Sequence, residues 1–215
     1  MLWHELSALE ANEFVFWAKR LGGFQEGAYG LTPKKPWSTD YYLAEEIPKQ
    51  GIVLHGTVGT LQGDLPEFTQ AGRHIGPCLV IARDGRSYQL FDPKYWSNHL
   101  GKNVETVGGN TFLSPRTIAI ELSNVGPLWL APDGDTLMAF EGSAAQPYCS
   151  RAKDTSAYQA LEYRGVSYFA TFTAEQCATL DAILSKLCAA FGIPKQLLPA
   201  PSRFEVFANA AAARA

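Results

Sequence analysis

Two residues stand where chemistry would need them. His55 closes the run Gly51-Ile52-Val53-Leu54-His55-Gly56-Thr57, three β-favouring apolar residues that lead into a histidine and then a breaker. A short apolar run of this kind reads as a buried strand, and its end is where α/β folds place their chemistry. Glu121 lies inside Thr117-Ile118-Ala119-Ile120-Glu121-Leu122-Ser123, where a carboxylate is out of place on strand propensity. If that face is covered, the carboxylate must be paired, hydrogen-bonded or sharing a proton. Its small neighbours Ala119 and Ser123 leave room for water or substrate. Each residue alone also has a plainer reading, His55 as a core histidine and Glu121 as the solvated face of an edge strand. His99, in Trp96-Ser97-Asn98-His99-Leu100-Gly101, reads alone as a surface loop residue. His74 and His4 carry no specific signal.

The elements that must position these residues can be read in order. Residues 1–23 show helical spacing (Leu2, Leu6, Leu9, Phe16, Trp17) and stop at Gly22-Gly23. Residues 24–50 are rich in Gly, Pro and aromatics. They predict a covering loop packed on the domain, with one short helix near Tyr41–Glu46. In the His55 strand, alternation puts Val53, His55 and Thr57 on one face. Thr57–Thr60 reads as a loop and Leu61–Ala71 as a weak helix. Cys78–Ala82 and Ser87–Phe91 flank Arg83-Asp84-Gly85-Arg86, a hairpin with a tight primed turn. In the Glu121 strand, Ile118, Ile120 and Leu122 face one way, and Ala119, Glu121 and Ser123 the other. Residues 124–170 read as irregular, with turns at Gly126-Pro127 and Pro132-Asp133-Gly134. Thr173-Ala-Glu-Gln176 is a capping box. It opens an amphipathic helix through Ala190, with Cys177, Leu180, Ile183, Leu184, Leu187 and Cys188 on its apolar face and Gly192 and Pro194 beyond its end. A second capping box, Ser202-Arg-Phe-Glu205, begins an Ala-rich helix.

Composition narrows the function classes. The 215 residues are 47% hydrophobic and 18% charged, enough for one full core. A net charge of −3 gives no electrostatic case for nucleic acid or an anionic membrane. No apolar stretch approaches a membrane span. His4, Glu5, Glu10 and Glu13 interrupt the N-terminus, which argues against a secretory signal. The four scattered cysteines, Cys78, Cys149, Cys177 and Cys188, form no CxxC pair and suggest free thiols in a reducing, cytoplasmic compartment, with release to the cell wall if the source is a phage. Thiol chemistry at Cys78 is disfavoured by its apolar neighbours. Phosphate loops, HExxH and GxSxG are absent.

The order of motifs carries more than any one of them. A strand ending in His55-x-Thr57 is followed by Arg83-Asp84-Gly85 with Tyr88-Gln89-Leu90, then Trp96-x-x-His99-x-Gly101. Ile118-Ala-Ile-Glu-Leu122 with Asn124 comes next, then the Thr173-x-x-Gln176 helix ending near Gly192-Ile193-Pro194. This series resembles the type 2 N-acetylmuramoyl-L-alanine amidases, a fold shared with phage amidase lysins and peptidoglycan recognition proteins, over about residues 50–198. The resemblance implies an α/β fold with a central mixed β-sheet flanked by helices, and a monomer acting on peptidoglycan or muropeptides. It implies that His55 is the first ligand of a zinc ion and Glu121 the general base on metal-bound water. His99, Thr57 and Asn124 then belong to the substrate groove, with His99 on its floor. Zn²⁺ with three protein ligands and one open position lowers the pKa of its water to about 7. A partly desolvated glutamate could take that proton and return it to the leaving amine. The bond cut would join the lactyl group of N-acetylmuramic acid to L-alanine of the stem peptide.

Two departures temper this. Cys78 and Leu79 stand where the family usually has His-Tyr. The family's other two zinc ligands lie beyond the Gly-Ile-Pro helix, where this sequence has no His, Asp or Cys after Pro194. The domain reading is accordingly a covering segment over 1–50 and an amidase-like domain over 51–215 without its C-terminal ligand segment. The alternative, on the same fold, is a catalytically inactive muropeptide-binding module.

Overall fold

The computed structural model describes residues 40–100, 110–163 and 165–196. The predicted helix over 1–23, most of the covering stretch, and the capping box at Ser202 lie outside them.

The central sheet is mixed and has the order β1-β4-β2-β3. Its strands are β1 (Gly51–Gly56), β2 (Leu79–Ile81), β3 (Ser87–Gln89) and β4 (Thr117–Leu122). β1 and β2 run parallel to β4 on either side of it, and β3 is antiparallel to β2. Helix α1 (Leu61–Phe68) connects β1 towards β2, and α2 (Asn110–Arg116) runs directly into β4. The alternation in β4 holds: Ile118 and Ile120 are all but inaccessible to solvent. They join Leu79, Ile81, Ile183 and Leu187 in the main core. The last two come from α3 (Ala174–Phe191), whose capping box forms as the sequence predicts. Gly192 closes α3 in the left-handed conformation, where a side chain would be strained. One detail of the predicted apolar face fails. Cys177 is exposed, and the buried positions include Gln176 and Thr179 instead.

Gln176 explains why that face carries a polar residue. It is wholly buried, and its Nε2 donates to the carbonyls of Ile81 (3.2 Å) and Ser123 (2.9 Å). The Ile81 carbonyl closes β2 and also accepts from the Ser123 amide at 2.9 Å, and the Ser123 carbonyl lies one residue beyond β4, so the side chain ties together the two strand ends. The same side chain accepts from the Thr173 amide at 3.2 Å, while Thr173 Oγ1 donates to the Arg83 carbonyl at 2.6 Å. One residue thus caps the helix and fixes it to two strands.

Three expectations need correction. No helix forms near Tyr41–Glu46. Leu43 pairs instead with Trp96 in an antiparallel bridge, and Tyr42 stacks on Phe91 at 4.9 Å between ring centres. Burying two adjacent tyrosines, Tyr41 and Tyr42, favours extended chain over a helical turn at this point. The β2–β3 hairpin closes through a three-residue loop. Gly85 donates to the Ala82 carbonyl at 3.0 Å and Ala82 to the Arg86 carbonyl at 2.8 Å. Only Gly85 has positive φ (83°), so the loop is a type I turn followed by a left-handed glycine rather than a primed turn.

The largest correction concerns residues 124–170. They form a five-stranded antiparallel sheet, β7-β6-β5-β9-β8. Its members are β5 (Pro127–Leu130), β6 (Thr136–Ala139), β7 (Gln146–Ser150), β8 (Tyr158–Tyr163) and β9 (Val166–Ala170). Most of β8 is exposed, so its sequence lacks a buried face to betray a strand. The small core of this sheet is Val125, Leu128, Leu137, Ala139 and Ala170. Asn124 joins the two sheets: its Nδ2 donates to the Ala170 and Thr171 carbonyls, both at 3.2 Å.

Gln176→Leu should lose the bonds to Ile81 and Ser123 and half of the capping box. With the Ser123 carbonyl losing this donor and the cap half removed, the expected destabilisation by urea denaturation is about 2–3 kcal/mol. A change within experimental error would show that the helix is held by apolar contacts alone.

Candidate active site

The register of β1 on β4 builds the site. Its Cα partners are Gly51 with Thr117, Val53 with Ala119 and His55 with Glu121. Parallel partners project to the same side, so the imidazole and the carboxylate stand next to each other on one face. Thr117, two alternations back from Glu121, shares that face, and the expected juxtaposition of His55 and Glu121 is what the structure shows.

His99 reaches the same place from a loop. Asn98 is held by a bridge to Ile75 and a hydrogen bond from its amide to the His74 carbonyl at 2.9 Å. The His99 amide lies 3.3 Å from Ser114 Oγ. Below the loop Lys49 is buried, and its Nζ donates to the carbonyls of Tyr95 and Pro115, both at 2.7 Å. Burial lowers its pKa to about 8. The His99 ring lies 3.3 Å from His55, Nδ1 to Nε2, with the two rings edge to face. Its other nitrogen, Nε2, lies 2.9 Å from Thr117 Oγ1. A hollow beside it is lined by Cys78, Trp96, Ser97, Thr117 and Ala119. Ser97 Oγ is buried without a hydrogen-bond partner among the described residues.

The electrostatics suit acid–base work. Burial raises the Glu121 pKa from 4.5 to about 7, with the nearby Asp64 carboxylate adding to the rise. Glu121 Oε2 is buried and has no hydrogen-bond partner among the described residues. Burial also lowers the pKa of His55. For His99 burial acts first, then the His55 ring and Lys49, and its pKa falls to about 3. Both rings are therefore neutral at pH 7, beside a carboxyl group poised near its midpoint.

Asp64 is the residue that sequence reasoning missed. It lies in α1, between Gly63 and Pro66, a helix with little periodicity to single it out. It is buried, and it accepts a hydrogen bond from Ser123 Oγ at 3.0 Å. Burial raises its pKa, while hydrogen bonds from Thr57 and Ser123 oppose the rise. Ser123 is thus occupied by a second carboxylate. A Cβ built on Gly59 would collide with the Asp64 carboxylate, so this position needs glycine for close approach.

The other expected groove residues are placed differently. Thr57 Oγ1 accepts from the Asn124 amide at 3.2 Å. Asn124 is buried, and its Oδ1 accepts from the Gly126 amide at 2.7 Å. With its Nδ2 on Ala170 and Thr171, its side chain is fully engaged with main chain. Thr57 and Asn124 thus tie the strand ends together, while the His55 ring meets the His99 ring and has Glu121 as its partner in the strand register. His74 is removed from them and pairs with Asp40 at 3.5 Å.

The described residues do not fit a three-ligand zinc site. No group of three His, Cys, Asp or Glu side chains among them is arranged to hold a metal. The His99 ring faces a hydrogen-bonding partner at each nitrogen, which leaves one imidazole, His55, with Glu121 as its partner in the strand register.

The buried Glu121 has a stability signature. Between pH 4.5 and about 7 the unfolded chain releases this proton while the folded chain keeps it. Stability should therefore fall as pH rises through that window and level off above it. Glu121→Gln should remove this slope and, at pH 8, stabilise the fold by roughly 2–3 kcal/mol. Chemical denaturation of both proteins at pH 4.5 and pH 8 measures it; parallel pH dependences would show that Glu121 ionises freely.

Comparison with known proteins places this geometry in a family. The family model of the N-acetylmuramoyl-L-alanine amidases matches residues 45–199. No curated protein sequence matches the chain. Among solved structures, the chain is similar to the N-acetylmuramyl-L-alanine amidase AmiD from E. coli, in complex with the substrate anhydro-N-acetylmuramic acid-L-Ala-D-gamma-Glu-L-Lys. The identity is 18%, over 70% of this chain and 47% of that one, with a TM-score of 0.44. The chain thus spans under half the length of that protein. Through the match over residues 45–199, which takes in both strands of the His55–Glu121 pair, the chain belongs to the N-acetylmuramoyl-L-alanine amidase family.

Proposed function

We propose that this chain hydrolyses the amide between N-acetylmuramic acid and the L-alanine of the peptidoglycan stem peptide, with Glu121 as general base and then general acid. The observation that carries the reading is the Oε2 of Glu121, buried and without a hydrogen-bond partner among the described residues, with His55 as its partner in the strand register on one face of the sheet. A carboxyl group with a pKa near 7 is ionised in about half the molecules at neutral pH. It can take a proton from the water that adds to the amide carbonyl and give it to the nitrogen as the C–N bond breaks. His99, neutral and hydrogen-bonded at both ends, supports His55 from the loop side and forms part of the groove floor.

Zinc is the cofactor the family implies. The described donors fall short of its usual set, so the chemistry assigned to them runs through Glu121 and His55 alone. That shortfall favours a second reading, a muropeptide-binding module that has lost turnover on the same fold.

Amidase assays on purified cell walls separate the two readings. For the enzyme, Glu121→Gln should lower turnover by roughly 10²–10⁴ while leaving wall binding within a few-fold. The pH profile of kcat/KM should rise with an apparent pKa near 7, the value at which Glu121 becomes a base. Wall binding without hydrolysis in the unaltered chain would establish the binding module. A second measurement concerns the metal. Calorimetry of the 215-residue chain with Zn²⁺ should show no tight stoichiometric site built from His55 and Glu121, and tight binding abolished by His55→Ala would contradict this.

A further inference from the structure

Val58 holds a conformation that neither local preference nor burial explains. It is a β-branched residue with φ 51°, in the left-handed region where such a side chain is strained. The side chain is 56% exposed and belongs to neither core cluster, so no buried contact offsets that strain. Its packing is against a bare main chain: a Cβ built on Gly126 would lie 3.3 Å from a Val58 methyl carbon. The backbone on both sides of Val58 is held firmly. The Thr57 amide donates to the Leu122 carbonyl at 3.2 Å and the Gly59 amide to the Asn124 carbonyl at 3.0 Å. Gly59 also lies against the Asp64 carboxylate. Val58 is therefore pinned to the chain that follows Glu121, at the carboxyl ends of the parallel strands β1 and β4. Ligands of α/β sheets bind at that end.

We propose that Val58 is a specificity-determining contact, packing against the methyl groups that flank the scissile amide, one on the lactyl group and one on L-alanine. The proposal rests on the amidase reading, which supplies those two methyl groups. Glycine or asparagine would take this φ with less strain. A valine held there in solvent is accounted for by an apolar group that covers it once the site is filled. The loop between β1 and α1 then has a division of labour. Thr57 and Gly59 fix it to the end of β4, and Val58, three residues past His55, presents the apolar surface. His55 and Glu121 act on the amide itself, while Val58 grips the carbon substituents on either side of it.

Two measurements on the same variants test it. In a Glu121→Gln background, where turnover is suppressed, calorimetry gives the affinity for a soluble N-acetylmuramoyl-L-alanine peptide, and urea denaturation gives the stability. Val58→Gly and Val58→Asn should each weaken binding roughly tenfold, the scale of one lost valine contact. Both should leave the urea midpoint unchanged or higher, because each accepts the left-handed conformation more readily. Val58→Ile keeps the apolar surface and should bind as the parent does. Leu161→Ala trims a comparably exposed leucine on the edge strand β8 and should leave the affinity unchanged. Parental affinity in Val58→Gly and Val58→Asn would overturn the contact and leave the amidase reading standing. A lower urea midpoint in both would also overturn it, since Val58 would then serve the fold. Neither binding nor hydrolysis by the unaltered chain would remove the amidase reading, and this contact with it.

Discussion

The structure depends on one register. Pairing Gly51 with Thr117 sets His55 beside Glu121, sends Ile118 and Ile120 into the core under α3 and buries Leu122 on the same side. A slip of one residue would reverse both at once, burying the carboxylate among Ile183 and Leu187 and exposing the isoleucines. Burial of three apolar residues therefore holds the catalytic face in place from the other side. Gln176 adds a polar lock to the same arrangement, because it bonds the main chain at the ends of the two strands that carry Val80 and Glu121.

The site costs stability that the rest of the fold supplies. Glu121 Oε2 is kept from water without a hydrogen-bond partner among the described residues, and Asp64 is buried close enough to raise its pKa further. Such a group is tolerated where it has work to do and where neighbouring contacts over-determine its position. Lys49, clamped between Tyr95 and Pro115, and Asn124, spanning the two sheets, provide that surrounding order. Val58, a β-branched residue at φ 51° only three positions after His55, is a further local strain at the rim of the site.

Much of this was legible in the sequence, for identifiable reasons. His55 and Glu121 stood out because each interrupts a run whose period is set by a buried face, and the period also placed them correctly. The α3 capping box was legible because its hydrogen bonds are local. Asp64 was not, since a short helix with Gly63 and Pro66 gives no pattern that marks a buried carboxylate, and its partner Ser123 is 59 residues away. The second sheet was hidden because its outer strand is solvated on both faces and its strands are short. Tyr41 and Tyr42 misled for the opposite reason: their burial against Phe91 and Tyr95 is tertiary, and it overrides local helical preference.

The central claim is that a desolvated Glu121, neighbour to His55, holds its proton to near neutrality. A ¹³C-detected titration of the side-chain carboxyl carbon of Glu121 tests it most directly, with Glu121→Gln identifying the resonance. A midpoint near pH 7 is the predicted result. A midpoint at the ordinary glutamate value of about 4.3 would contradict the account, because the carboxylate would then be solvated and no longer matched to proton transfer at neutral pH.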